Sequence, residues 1–512
     1  MVDERTAAVV SLAAAVASGV LVGVAPLGGD LTAAGQYAVS TMVVAAVLWI
    51  TGAVPLSVTA LLVPVLLTLT GVYADFGDAV AGFADPVIFL LLAGFMLAEA
   101  LTARGIDRRI AFHILVSLGT SPRRLVLAVM VATALLSMLI SNTATTAMMV
   151  PIAVGLVSQV TDVATADDGE DATNLQVALL LGIAYAASLG GVGTLIGTPP
   201  NAIVVGQLAE LLGVRITFVD WLFVGLPMVV VTLPIAWWLL TYVAVPPRVT
   251  DVSGARRSAR ESLRDAGPLS PRARRVVAVF ASTAGLWLLG GLGFLFRDWL
   301  PEPWFVTLFG GSGPSVFGTV GHEGALYYVV VGLYAIPALI LSGGAEWDEL
   351  TGIDWGTLLL LGGGISLANA LTATGATRWL ATVAFGALGD APLLVVLLAI
   401  VAVTVAVGEL ASNTAMAAIL APLLVNVGPV YAEALGATGQ QASVFLAITG
   451  AIAASYGFAL PVATPPNAIA YGSGYVTRAD MLRAGVLLDA VVVLVATGLV
   501  YVLSRVLWPV VL

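Results

Sequence analysis

The chain has 512 residues, of which 60% are hydrophobic and only 10% charged, with a mean hydropathy of +1.04. Soluble domains carry about a quarter charged residues, so this composition excludes a soluble protein with a single membrane anchor. The net charge is −10, every basic residue is arginine, and the absence of cysteine excludes disulfides, thiolate metal sites and thiol catalysis.

A bilayer-crossing helix needs roughly 20 mostly apolar residues, and about eleven stretches meet that length. They are 8–26, 36–53, 54–72, 85–104, 174–213, 219–245, 275–297, 323–342, 355–374, 440–475 and 480–510. Backbone groups in lipid must be paired within their own segment, so these runs are helices, and the period-two alternation of a membrane barrel is missing. The first run follows an acidic start without a convincing cleavage site, which argues against a cleavable signal peptide.

Two segments break the pattern. Residues 125–158 read apolar, then Ser141-Asn142-Thr143, then apolar again, and 391–430 do the same around Ser412-Asn413-Thr414. Each half is short for a crossing, which predicts a re-entrant helical hairpin. Its tip is tolerated at membrane depth only inside protein or beside a wet cavity.

With the N-terminus in the cytoplasm and each hairpin entering and leaving on one side, sixteen arginines fall inside. Four, Arg215, Arg297, Arg378 and Arg505, fall outside. That bias obeys the positive-inside rule and leaves the C-terminus outside. The Arg-rich stretch 246–275 then reads as a cytoplasmic linker, too short for a folded regulatory domain.

Three landmarks recur in order. Glu99–Gly105 (EALTARG) matches Asn369–Gly375 (NALTATG) at an offset of 270; the Ser-Asn-Thr triplets differ by 271; and Thr198–Ile203 (TPPNAI) matches Thr464–Ile469 at 266. The matched spans run in opposite senses across the membrane. The expected fold is therefore an all-α polytopic membrane protein with two re-entrant hairpins in two inverted repeats. Residues 1–84 are scaffold helices and 85–245 the first repeat core, with hairpin 125–158 and broken helix 174–213. After the linker, 276–350 are scaffold helices of the second half. Residues 351–512 hold the second repeat core, with hairpin 391–430 and broken helix 440–475, and the last helix. Paired broken helices in inverted repeats mark alternating-access transporters that bind their substrate near the midplane.

The motifs carry matching chemistry. A hairpin tip presents helix C-terminal carbonyls, which suit a hard cation such as Na⁺, and helix N-terminal amides, which suit an anion. Ser and Asn oxygens add neutral cation ligands, while Thr hydroxyls and Asn amides can donate to a carboxylate. Adjacent prolines remove backbone donors and break the helix, freeing carbonyls as ligands. The glycines of Gly190–Gly197 allow close backbone approach. Mid-membrane Ser, Thr and Asn can also merely glue helices, but a symmetric pair of triplets favours a site. Three acidic residues lie in apolar surroundings, Glu99, Glu409 and Asp489, and intramembrane charge is a functional candidate by default. Glu409, one turn from the second tip, can add charge to a cation site, carry a proton, or pair structurally. His113 and His322 are expected at interfaces.

These residues resemble the divalent anion–sodium symporter family over nearly the whole chain. Ala454-Ser455, Phe458, Pro461-Val462-Ala463 and Asn467 with Ile469 look like its signature, with Ala470 where the family ends in Val. The resemblance implies a first sodium site from Ser137, Ser141, Asn142 and a carbonyl near Gly197. A second would use Ala411, Ser412, Asn413 and carbonyls near Ala463 and Pro465, with Gly408 standing where the family has a ligand threonine. Substrate carboxylates would contact Asn142, Thr143, Asn413, Thr414, Thr198 and Thr464. It further implies a homodimer in the cell membrane, with a fixed scaffold, a sliding elevator-type transport domain, Na⁺ as coupling ion and no organic cofactor.

The expected function is sodium-coupled symport of small di- or tricarboxylates such as succinate, malate, fumarate or citrate. Sulfate is the alternative anion, although the large cytosolic domains common among sulfate-type relatives find no room here. A cation/proton antiporter or metalloid exporter would use Glu409 and Asp489 as proton carriers. An intramembrane enzyme would need a nucleophile–base pair or metal set that no motif supplies, and a channel would not need two gated hairpins.

Overall fold

The computed structural model describes residues 4–29, 31–117, 121–161, 169–247, 249, 252–385, 391–410 and 412–506. Among them, nine helices are long and apolar enough to cross a membrane, and five shorter apolar helices accompany them. Helix ends follow local chemistry. Ser121, Asp85 and Ser270 each cap a helix through a side-chain oxygen and are followed by proline at the first helical position. Gly105 and Gly375, which close the two repeated heptapeptides, adopt φ of 64° and 75°. That left-handed conformation ends a helix cheaply only at glycine, which accounts for its recurrence at both landmarks.

Two stretches of chain follow one order. The first holds Pro86–Ala103, Ile106–Ser117, Pro122–Ser137, Asn142–Thr161, Gly169–Gly191, Pro199–Leu212 and Phe218–Trp238, the last continuing as a π-helical turn through Ala244. The second holds Trp355–Ala373, Ala376–Phe385, Leu393–Gly408, Asn413–Val427, Gly439–Ala454, Pro465–Gly472 and Arg478–Val506. The apolar runs 174–213 and 440–475 are thus each two helices, parted at 192–198 and 455–464, because the paired prolines cannot continue a helix from the residue before them. The short surface helices Ile106–Ser117 and Ala376–Phe385 were not expected from the sequence; both follow the repeated glycine.

Gly169–Gly191 runs through the middle of the protein, with 89% of its stretch Asn174–Gly191 buried, against 22% for Pro271–Gly291 at the periphery. Lipid offers no hydrophobic drive between helices, so close packing of small residues holds such a centre. Gly190 shows it: a Cβ there would meet the backbone of Ala134 at 2.5 Å.

The stretch 246–275 carries a helix of its own. Ser253–Asp265 is a helix packed on Ile106–Ser117 and Asn142–Thr161. Ala255 and Ala259 lie one turn apart and are buried, so a narrow small-residue stripe docks while Arg257, Arg260 and Arg264 face outward. Arg256 Nε donates to Val116 O (3.0 Å), and the Arg109 guanidinium donates to Ala266 O (2.5 Å) and Gly267 O (2.6 Å), beyond the helix end. The helix expected over 323–342 begins only at Tyr328. Before it lies a two-stranded hairpin, Gly311–Pro314 with Val320–His322.

Candidate functional site

The first hairpin turns at Met138–Ser141, between Pro122–Ser137 and Asn142–Thr161. Its tip sits in a glycine cradle on the first broken helix. A Cβ on Gly191 would collide with the Asn142 carboxamide, and one on Gly197 would meet Ser137 O at 3.0 Å. Asn142 Oδ1 lies 2.5 Å from Ser137 Oγ, 3.1 Å from Ala187 O and 3.2 Å from Gly197 O. Ser137, fully buried, also donates to Ala187 O (2.8 Å). The cluster has two uses. With Oδ1 inward, four oxygens converge as a hard cation requires. With the amide reversed, Nδ2 donates to the same three oxygens.

Behind the tip, Asn201 locks the break. Its Nδ2 donates to Gly191 O (3.0 Å) and Thr194 O (2.8 Å), carbonyls at the end of the first helix and within the unwound stretch. Asn467 repeats this in the second break, donating to Gly457 O (3.1 Å) and Leu460 O (2.9 Å). Each donor reaches back ten and seven residues. The sequence singled out both asparagines after the prolines but not their task of holding the backbone.

The second hairpin has Asn413 at the start of its returning arm. Its Oδ1 is buried and has no hydrogen-bond partner among the described residues, the state of an oxygen suited to a cation. Ser412 is half-buried, Ala463 is buried, and Pro465 opens the helix after the break. Ala411 lies outside the described residues.

The hairpins and breaks interlock across the repeats. The returning arm Asn142–Thr161 packs on Pro465–Gly472, and Asn413–Val427 packs on Pro199–Leu212, where Gln207 Nε2 donates to Ala418 O (3.2 Å). Tyr185, in the helix before the first break, meets Phe458 of the second break edge to face, centroids 5.2 Å apart. Of the expected substrate contacts, Thr143 is exposed, while Asn142, Asn413 and Thr414 are half-buried. Thr198 and Thr464 are only 3% exposed, and Thr464 Oγ1 is engaged by Asn467 N (3.2 Å).

The acidic residues separate. Glu99 is half-buried near Gly352, away from both tips. Glu409 and Asp489 come together at the second break: Glu409 Oε1 accepts from Ala459 N (3.0 Å), its Oε2 from Leu460 N (2.7 Å), and Asp489 Oδ1 from Phe458 N (3.2 Å). His113 is exposed, and His322 Nδ1 accepts from Gly324 N (2.8 Å) beside the strand hairpin.

A many-helix membrane protein with paired hairpins against proline-broken helices is a transporter by its build. Residues 6–511 match the family described as the sodium:sulfate symporter transmembrane region, and the chain belongs to that family. A transporter of Haemophilus influenzae without assigned substrate is 36% identical over 460 residues, covering 89% of each chain. The sodium-dependent dicarboxylate transporter SdcS of Staphylococcus saprophyticus is 31% identical over 478 residues, covering 93% of this chain and 87% of its own. The SdcS of Staphylococcus aureus strain USA300 is 31% identical over 476 residues, covering 92% and 86%. Among solved structures, the YdaH transporter of Alcanivorax borkumensis shares the fold with a TM-score of 0.54 at 16% identity, over 85% of this chain and 89% of its own.

Proposed function

We propose that the protein is a sodium-coupled symporter of small dicarboxylates such as succinate, malate or fumarate, with citrate as a larger candidate. The observation that carries this reading is the oxygen cluster at the first tip, where Asn142, Ser137 and the carbonyls of Ala187 and Gly197 converge beside a helix N-terminus. Carbonyl and hydroxyl oxygens seat the cation, and the amides opening Asn142–Thr161 and Asn413–Val427 face the anion.

No arginine stands in either triplet or proline-broken motif, so the positive field for a carboxylate comes from the ions bound alongside. Sodium therefore binds first, and the anion binds weakly without it. Likeness to the Staphylococcus dicarboxylate transporters, at 31% identity over most of both chains, supports dicarboxylate over sulfate.

The working cycle is an elevator. Two inverted repeats move as a body carrying both hairpins past a scaffold built from 1–84 and 276–350, in a homodimer with the N-terminus cytoplasmic and the C-terminus outside. Uptake of labelled succinate, citrate and sulfate into proteoliposomes, with and without an inward sodium gradient, tests the reading. Sodium-stimulated succinate uptake is expected. Sodium-independent exchange, or sulfate uptake alone, would refute it.

A further inference from the structure

The two hairpin–helix junctions are tied by different chemistry. In the first, neutral hydroxyls do it: Ser137 Oγ donates to Ala187 O, and Thr194 Oγ1 donates to Met138 O. The positions matching Ser137 and Thr194 in the second repeat are Gly408 and Leu460, which have no hydroxyl. Two carboxyl groups stand there instead. Glu409, 9% exposed, takes the amides of Ala459 and Leu460, and Asp489 from the last helix takes that of Phe458. Three successive N–H groups of the unwound stretch are thereby held on one side. On the other, Gly457 O and Leu460 O turn to Asn467.

Tyr185 packs edge to face on Phe458, the residue whose amide Asp489 takes. Among the described residues no arginine pairs with either carboxyl, and the chain has no lysine. Buried negative charge without a resident partner is costly and is relieved by a cation bound beside it.

We propose that Glu409 and Asp489 are positioning residues for the second sodium site, shaping residues 457–464 and supplying the negative field that the first junction lacks. The proposal rests on the sodium-coupled reading above. Its test is the sodium dependence of succinate uptake by wild type, Glu409→Gln and Asp489→Asn in proteoliposomes. Losing a charged hydrogen-bond partner should raise the half-saturating sodium concentration about tenfold in each variant, while the KM for succinate at saturating sodium stays within about twofold.

A role in folding alone would lower the maximal rate without moving sodium half-saturation. Thermal stabilisation of the purified protein by NaCl provides a second readout, in which both variants should need about tenfold more salt for the same shift. Should Glu409→Gln fail to insert, Asp489→Asn, whose amide oxygen can still accept from Phe458 N, carries the test. Unchanged sodium half-saturation in variants that transport overturns the proposal alone. A wild type without sodium-stimulated uptake overturns the functional reading, and the proposal with it.

Discussion

The two Ser-Asn-Thr tips share a tripeptide and differ in fit. At the first, Asn142 is wedged against Gly191 and ringed by three oxygens. At the second, a Cβ on the matching Gly457 would meet Ala463 Cβ at 3.3 Å and Glu409 Oε1 at 3.4 Å, so the cradle is looser and a carboxyl forms part of its wall. The two stretches present one order of helices, and each holds its unwound helix in its own way. Comparable frames need not be equal sites.

The sharpest way to break this comparison is to remove the amide each tip contributes. Asn142→Ala and Asn413→Ala should each cut sodium-driven uptake by about 100-fold or more while gel filtration shows an intact fold. Wild-type uptake in both would dissolve the site assignment. Next come the cradles. Gly191→Ala forces overpacking that costs about 1–3 kcal/mol and should slow uptake about tenfold or more. Gly457→Ala has room to adjust, and its loss should stay within about threefold. Equal losses, measured as initial rates, would erase the asymmetry.

A smaller and symmetric effect is expected behind the tips. Asn201→Leu and Asn467→Leu each withdraw the side-chain donor from two carbonyls, one of which keeps a backbone amide, for a loss of about 1–3 kcal/mol in stability read by thermal unfolding in detergent. A marked difference between them would show that the locks are not equivalent. Least of all should be felt at the Arg104–Glu349 ion pair, 2.5 Å long and distant in the fold from both tips. Glu349→Gln should cost at most about 1 kcal/mol and leave sodium half-saturation unchanged.

The amide of Glu346, with help from Arg104, holds the Glu349 carboxyl below its ordinary range. Its contribution is therefore complete above that range and lost as pH falls through the lowered value. The gap in unfolding temperature between wild type and Glu349→Gln should close in acid.

Polarity patterns made much of this legible. Apolar runs located the helices because lipid forbids unpaired backbone, and the proline pairs located both breaks because proline cannot donate. The hidden parts depended on partners far away in sequence. Ile106–Ser117 and Ser253–Asp265 are too short or too polar to announce themselves, and they settle against each other and the arms of the first hairpin. Glu409 and Asp489 each stood out as an intramembrane charge. Their meeting across 80 residues depends on how the last helix crosses the second break.

From its sequence alone the chain had to be a bundle of membrane helices with two polar turns and two proline breaks, because each of those follows from local backbone chemistry. Tertiary structure decided which carbonyls gather at each turn, that the asparagines after the prolines lock the breaks, and that one junction rests on hydroxyls and the other on carboxylates. The two junctions turn on contacts between segments 31 to 56 residues apart, and the asparagine locks on how an unwound stretch folds back over seven to ten residues, neither of which a local pattern encodes.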